Sequence, residues 1–231
     1  MRHSTGHSKL VALTLVLAAW APSLQAQVAD PDPQRFAEDF ATFAKWDSQN
    51  AFPRNGIVFV GASSIVRWNT AAAFPDLPVI NRGFGGSQAS DAITWLEESV
   101  LKYDPAVVVY YEGDNDVEAG KKAEQIFADM REFVEAVLAA DPSTQIILIS
   151  PKPSLRRWQW WSEMQATHAL MIAYADSKPT VQYLDVGTDM LGADGQPMPQ
   201  LFVSDGLHMT PAGYEIWNRI VGRALAELHI H

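Results

Sequence analysis

Five short apolar runs recur along this chain, most of them followed by a stretch with helical spacing, and that alternation limits the fold more than any other feature. The runs are Ile57–Val60, Pro78–Ile80, Ala106–Tyr111, Gln145–Ile149 and Val181–Asp185. They are too short for helices and rich in β-branched residues, the pattern of strands buried on both faces of a parallel sheet. Pro33 starts a helix with Phe36, Phe40 and Phe43 on one face. Further helices are predicted from Ile65, over about Gln88–Lys102, over Ala119–Ala140 and through about Ala175. Thr210 caps the last one, Pro211 starts it, and Tyr214, Trp217, Val221 and Leu225 stripe it. Strands alternating with helices predict a parallel sheet covered on both faces, hence a single three-layer α/β domain. The 231 residues suit one domain, and 48% hydrophobic content suffices for its core.

The first 26 residues are of another kind. Arg2 and Lys9 charge the start, Leu10–Ala21 is apolar and free of charge, and Ser23-Leu24-Gln25-Ala26 ends on a small residue. This is the layout of a secretory signal peptide cleaved near Ala26, and export to a periplasm or the medium is expected. The apolar run falls well short of the ~20 residues that span a bilayer. With no cysteine there is neither a lipoprotein anchor nor a disulfide. Residues 27–33 form a short linker, and the domain is expected over 34–231. Removing two basic residues and no acidic one leaves 15 Lys and Arg against 27 Asp and Glu, a net charge of −12. No basic run exceeds two residues, so a nucleic-acid footprint is missing, and anionic membranes would repel such a chain.

Polar residues without a packing role gather after the first three runs and before the last helix. Ile57-Val58-Phe59-Val60 stops at Gly61, and Ser63 and Ser64 follow at a strand-to-helix turn. A serine there is either a nucleophile or a helix N-cap. The Gly83–Ser87 turn lacks the third glycine of a dinucleotide loop. Asp114, Asp116 and Glu118 begin like a calcium loop, but Ala119 stands where that loop needs glycine. Asp205 and His208 are spaced as in many ordinary turns, and His168, inside a helix, reads as structural. All strand ends of a parallel sheet open onto one edge, so these segments can meet there.

Together they resemble the SGNH (GDSL-type) hydrolase family. Gly61-Ala62-Ser63 is similar to its nucleophile block, Asn81-x-Gly83-x-x-Gly86 to its glycine block, Gly113-Asp114-Asn115-Asp116 to its GxND block and Asp205-x-x-His208 to its DxxH block. The blocks occur in the family's order from about Gly56 to Glu227. One departure is Ala62, where the family has aspartate. The resemblance implies the flavodoxin-like SGNH fold and a serine esterase without metal or organic cofactor. It assigns Ser63 as nucleophile, with Ser64 starting the helix, His208 as base and Asp205 as its orienting partner. It also implies an oxyanion hole made by the backbone N–H of Ser63 and Gly86 and the side-chain amide of Asn115.

The expected reaction is hydrolysis of a short acyl ester, acetyl foremost, on a small molecule or glycan. Alternatives are transfer of the acyl group to or from a glycan, lysophospholipase or thioesterase hydrolysis, and carbohydrate binding without turnover. The glycan preference comes from Trp158, Trp160 and Trp161 beside Arg156 and Arg157. Three tryptophans in four loop residues cannot all point inward. One or two would anchor the following helix, leaving a flat face suited to a sugar ring.

Overall fold

The computed structural model describes residues 27–228, and the expected signal peptide lies outside them. Five strands, β1 (Ile57–Gly61), β2 (Val79–Gly83), β3 (Val107–Tyr111), β4 (Gln145–Ile149) and β5 (Val181–Leu184), form one sheet. All neighbours are parallel, in the order β2-β1-β3-β4-β5.

The period-two alternation of the strands sends each one's side chains to both faces. Val58, Val60, Val108, Tyr110, Ile146 and Leu148 meet Phe40 of α1 (Ala37–Gln49) on one face. The same cluster holds Met130, Phe133 and Val134 of a long helix over Ala123–Ala140 and Met171 of a helix over Trp161–Ala175. Ile57, Phe59, Val107, Val109, Ile147 and Ile149 meet Trp217, Val221 and Leu225 of the C-terminal helix on the other. Complete burial of each such aliphatic side chain contributes about 1.5–3 kcal/mol. The fold is therefore the expected α/β/α sandwich.

Three predicted boundaries change. β1 is followed by two short helices, α2 (Ser63–Val66) and α3 (Thr70–Ala73), so the helix from Ile65 begins two residues early and soon ends. The helix predicted over Gln88–Lys102 is broken into α4 (Ala89–Thr94), α5 (Leu96–Ser99) and a 3-10 turn at Leu101–Tyr103. Trp95 sits at the break. Its indole stacks on Phe40 at 4.2 Å and donates to the Pro33 carbonyl at 3.0 Å, so tertiary packing outweighs local helical preference. The helix predicted from Ala119 begins only at Ala123, as α7 (Ala123–Ala140), and a separate short helix that was not predicted, α6 (Asp114–Glu118), precedes it. Gly120, at φ 93°, separates them.

β2 also runs on through Asn81, Arg82 and Gly83, past the predicted end of that strand at Ile80. Their polar groups have partners inside the fold. Asn81 Nδ2 donates to the carbonyls of Ile65 and Trp68, and Arg82 reaches Tyr103 Oη and Asp47. The last two helices are α8 (Trp161–Ala175) and α9 (Pro211–Glu227). Thr210 caps α9, its hydroxyl accepting from the Gly213 N–H.

Candidate active site

The sheet order decides where chemistry can sit. The chain leaves β1 toward β2 and returns across the sheet to β3, so the connections after β1 and β3 diverge and open a crevice at their carboxyl ends. Gly61 ends β1 with φ 139°, and a Cβ there would lie 1.9 Å from the Tyr111 carbonyl oxygen. Only glycine lets β1 press against β3 in this conformation. The Ala62 N–H then donates to that same carbonyl, fixing the turn into α2.

Ser63 opens α2, and the N-cap residue is Ala62, which makes no side-chain cap bond. The Ser63 hydroxyl is thus not spent on capping. Its Oγ lies 3.0 Å from His208 Nε2, while His208 Nδ1 lies 2.6 Å from Asp205 Oδ2. The neighbouring Ser64 is only 2% exposed. Asp205 Oδ1 accepts the backbone N–H groups of Leu207 and His208, both at 2.9 Å. The bond from the His208 side chain, together with these two, holds the Asp205 carboxyl far below the usual carboxylate range. Asp205 is therefore charged throughout the neutral range.

Two further segments close around Ser63. The Phe84 N–H donates to the Gly61 carbonyl at 2.9 Å, which brings the glycine turn alongside. Gly86 has φ 87°, a conformation that favours glycine. Among the described residues, neither the Gly86 N–H nor the Ser63 N–H donates a hydrogen bond. Beyond β3, Gly113 turns the chain into α6, which presents Asn115. Asn115 Nδ2 donates to the Ser87 carbonyl at 2.7 Å, and Oδ1 accepts from Arg157 Nη2 at 2.8 Å. The structure thus links Ser63, His208 and Asp205 directly, sets Gly86 in the turn beside them, and ties Asn115 to that turn.

The acidic triplet is balanced by the chain's own cations. Asp114 meets Lys152 at 3.2 Å and Arg157 at 3.0 Å, Glu118 meets Arg157, and Asp116 meets Lys121 at 3.2 Å. Burial alone would raise the Asp114 carboxyl, but Lys152 and Arg157 outweigh it and hold it below the usual range. His168 is packed under the loop after β4. Its Nε2 lies 2.8 Å from the Pro151 carbonyl, and burial lowers its pKa, in keeping with a structural role.

Sequence reasoning passed over two groups that touch this site. One is Arg157, read only as a neighbour of the tryptophans. The other is Glu112, wholly buried at the end of β3, whose Oε1 accepts the Ser87 hydroxyl. Burial, reinforced by the charge of Asp116, pushes its carboxyl well above the usual range and so favours the neutral acid. A raised carboxyl stabilises the fold fully below its unfolded pKa, and that contribution drains away as pH climbs toward the folded value. Glu112→Gln, which keeps an acceptor and never ionises, should therefore gain melting temperature relative to the natural protein as pH rises from 5 to 8. Melting curves over that range check it, and parallel curves would show that Glu112 is not held neutral.

All three tryptophans of the loop after β4 are half-buried. Trp160 and Trp161 pack against Val117, Ile126 and Met164, which anchors α8. Trp158 stacks on Trp161 with ring centres 5.6 Å apart and planes 19° from parallel. The loop is joined to the histidine segment by the Arg156 N–H, which donates to the Gly206 carbonyl at 3.0 Å.

Fold and site together have the layout of a hydrolase that works on carboxylic esters. The chain belongs to the GDSL-like lipase/acylhydrolase family, whose sequence profile matches residues 59–216. A GDSL-like lipase from Bacteroides thetaiotaomicron superposes with a TM-score of 0.68 at 22% identity, covering 82% of this chain and 98% of that one. An acetylxylan esterase from Geobacillus stearothermophilus gives 0.60 at 18% identity, covering 74% and 94%. A carbohydrate esterase of family 3 from Talaromyces cellulolyticus gives 0.59 at 18%, covering 74% and 96%. At these identities the likeness is one of fold. A search of curated proteins gives no match.

Proposed function

We propose that this esterase is an exported serine enzyme that removes short acyl groups, acetyl foremost, from acylated carbohydrate. The observation that carries the reading is the unbroken chain of hydrogen bonds from Asp205 through His208 to Ser63. A serine hydroxyl is a weak nucleophile until a base takes its proton. His208 Nε2 accepts that proton as Oγ bonds to the ester carbonyl carbon, and Asp205 stabilises the imidazolium. The new oxyanion is met by the N–H groups of Ser63 and Gly86 and by the Asn115 amide. Collapse breaks the ester C–O bond, and His208 returns its proton to the leaving alkoxide. Water then gives a proton to His208 and attacks the acyl-enzyme. The acid departs and Ser63 regains its hydrogen. No step calls on a metal or organic cofactor.

The carbohydrate part of the reading rests on Trp158, a half-buried indole stacked on Trp161, whose ring face not covered by that stack would suit a sugar. The fold is shared with proteins described as an acetylxylan esterase and a family 3 carbohydrate esterase. Among the described residues no helix is long and apolar enough to cross a membrane, and the acidic balance gives no attraction to anionic lipid or nucleic acid.

Purified protein should release a burst of p-nitrophenol from the acetate ester and prefer acetyl over acyl chains of ten carbons and more. Trp158→Ala should lower kcat/KM on an acetylated xylo-oligosaccharide about tenfold while changing p-nitrophenyl acetate turnover less than about twofold. Equal losses on both substrates would remove the carbohydrate assignment, and no release of p-nitrophenol above the uncatalysed rate would remove the enzyme reading. Export predicts that the protein recovered outside the cytoplasm begins at Gln27, and its intact mass decides that.

A further inference from the structure

The Asn115 side chain faces a problem of orientation. The two ends of a carboxamide have nearly the same shape, so only their partners determine which end faces the substrate. Here Nδ2 commits one N–H to the Ser87 carbonyl, leaving one N–H for a substrate oxygen. At the other end Oδ1 receives Nη2 of Arg157 at 2.8 Å. Turned over, the amide would set oxygen against the Ser87 carbonyl and N–H groups against a guanidinium, which has donors only. Arg157 is itself well fixed. It is 4% exposed, its Nη1 lies 3.0 Å from Asp114 Oδ2, and its Nη2 also meets Glu118. A charged donor on the carbonyl end also draws electron density from the amide and strengthens the N–H left over.

We propose that Arg157 is a positioning residue that acts through Asn115, holding the amide with its N–H toward the substrate and strengthening it as a donor. The inference rests on Asn115 serving as an oxyanion donor. Arg157 touches no reacting atom, so its loss should appear in the transition state without altering ground-state binding. The competing role is a purely structural one, in which Arg157 merely ties the loop after β4 onto α6.

A double-mutant cycle separates the two. The enzymes compared on p-nitrophenyl acetate are the natural protein, Asn115→Ala, Arg157→Ala and the double variant, each with its melting temperature. Asn115→Ala should lower kcat ~10²–10³-fold, the loss for one oxyanion donor. Arg157→Ala should lower kcat about 10- to 100-fold with KM within about twofold, as expected for a lost charge-assisted hydrogen bond. The double variant should be no slower than Asn115→Ala alone, because Arg157 has nothing left to act through. Losses that multiply in the double variant, or an unchanged kcat in Arg157→Ala, would overturn the inference. An Asn115→Ala enzyme with full kcat would remove the oxyanion role itself, and the inference with it. Should Arg157→Ala fail to fold, Arg157→Gln carries the same cycle: it removes the charge but keeps an amide donor, and its loss of kcat must likewise vanish in the Asn115→Ala background.

Discussion

Ser63→Ala should be folded and effectively inactive, with kcat down about 10⁵–10⁶-fold, whereas Ser64→Ala should keep most of its activity. The two serines are adjacent in sequence and differ in what they can reach. The Ser63 hydroxyl is at 3.0 Å from His208 Nε2 and carries no capping bond. Ser64 is buried and serves through its carbonyl, which accepts from the Tyr214 hydroxyl at 2.9 Å, a bond that survives truncation to alanine. Steady-state rates and burst amplitudes on p-nitrophenyl acetate measure both. A dead Ser64→Ala beside a live Ser63→Ala would exchange their roles.

Asp205→Asn should cost about 10³–10⁴ in kcat and be at least as damaging as Asp205→Ala. The reason lies in the second oxygen of the carboxylate. Oδ1 is held by the N–H groups of Leu207 and His208, so an asparagine must place its carbonyl there. Its NH₂ then faces His208 Nδ1 and forces the ring proton onto Nε2, where it points at Ser63 instead of accepting from it. Alanine leaves the ring free to choose the useful tautomer. An Asp205→Asn enzyme faster than Asp205→Ala would show that orientation of the imidazole is not what Asp205 supplies.

What could be read in advance was whatever is written locally. The five apolar runs predict the layers, because burial on both faces leaves no room for polar alternation. The turns after them put Ser63, Gly86, Asn115 and the Asp205–His208 pair near one edge. Arg157 and Glu112 escaped notice for a physical reason. Arg157 stands in a polar, aromatic loop and meets Asn115 across 42 positions, while Glu112 meets Ser87 across 25. A buried cation or a neutral carboxyl is defined by partners that no periodicity announces. The broken helix between Ala89 and Tyr103 is a similar case, since Trp95 answers to Phe40 and Pro33 rather than to its neighbours.

The indole pair of Trp158 and Trp161 has an optical consequence as well. Two rings held 5.6 Å apart and within 19° of parallel are close enough for their electronic transitions to couple. Such a pair imprints an exciton couplet on the far-ultraviolet circular dichroism, superimposed on the signal of the backbone. A sugar that settled against Trp158 would shift the ring or its surroundings and change the couplet's amplitude without any bond being cleaved. Under the proposed carbohydrate reading the pair would report glycan arrival, readable in the inactive Ser63→Ala variant, where binding is uncoupled from turnover.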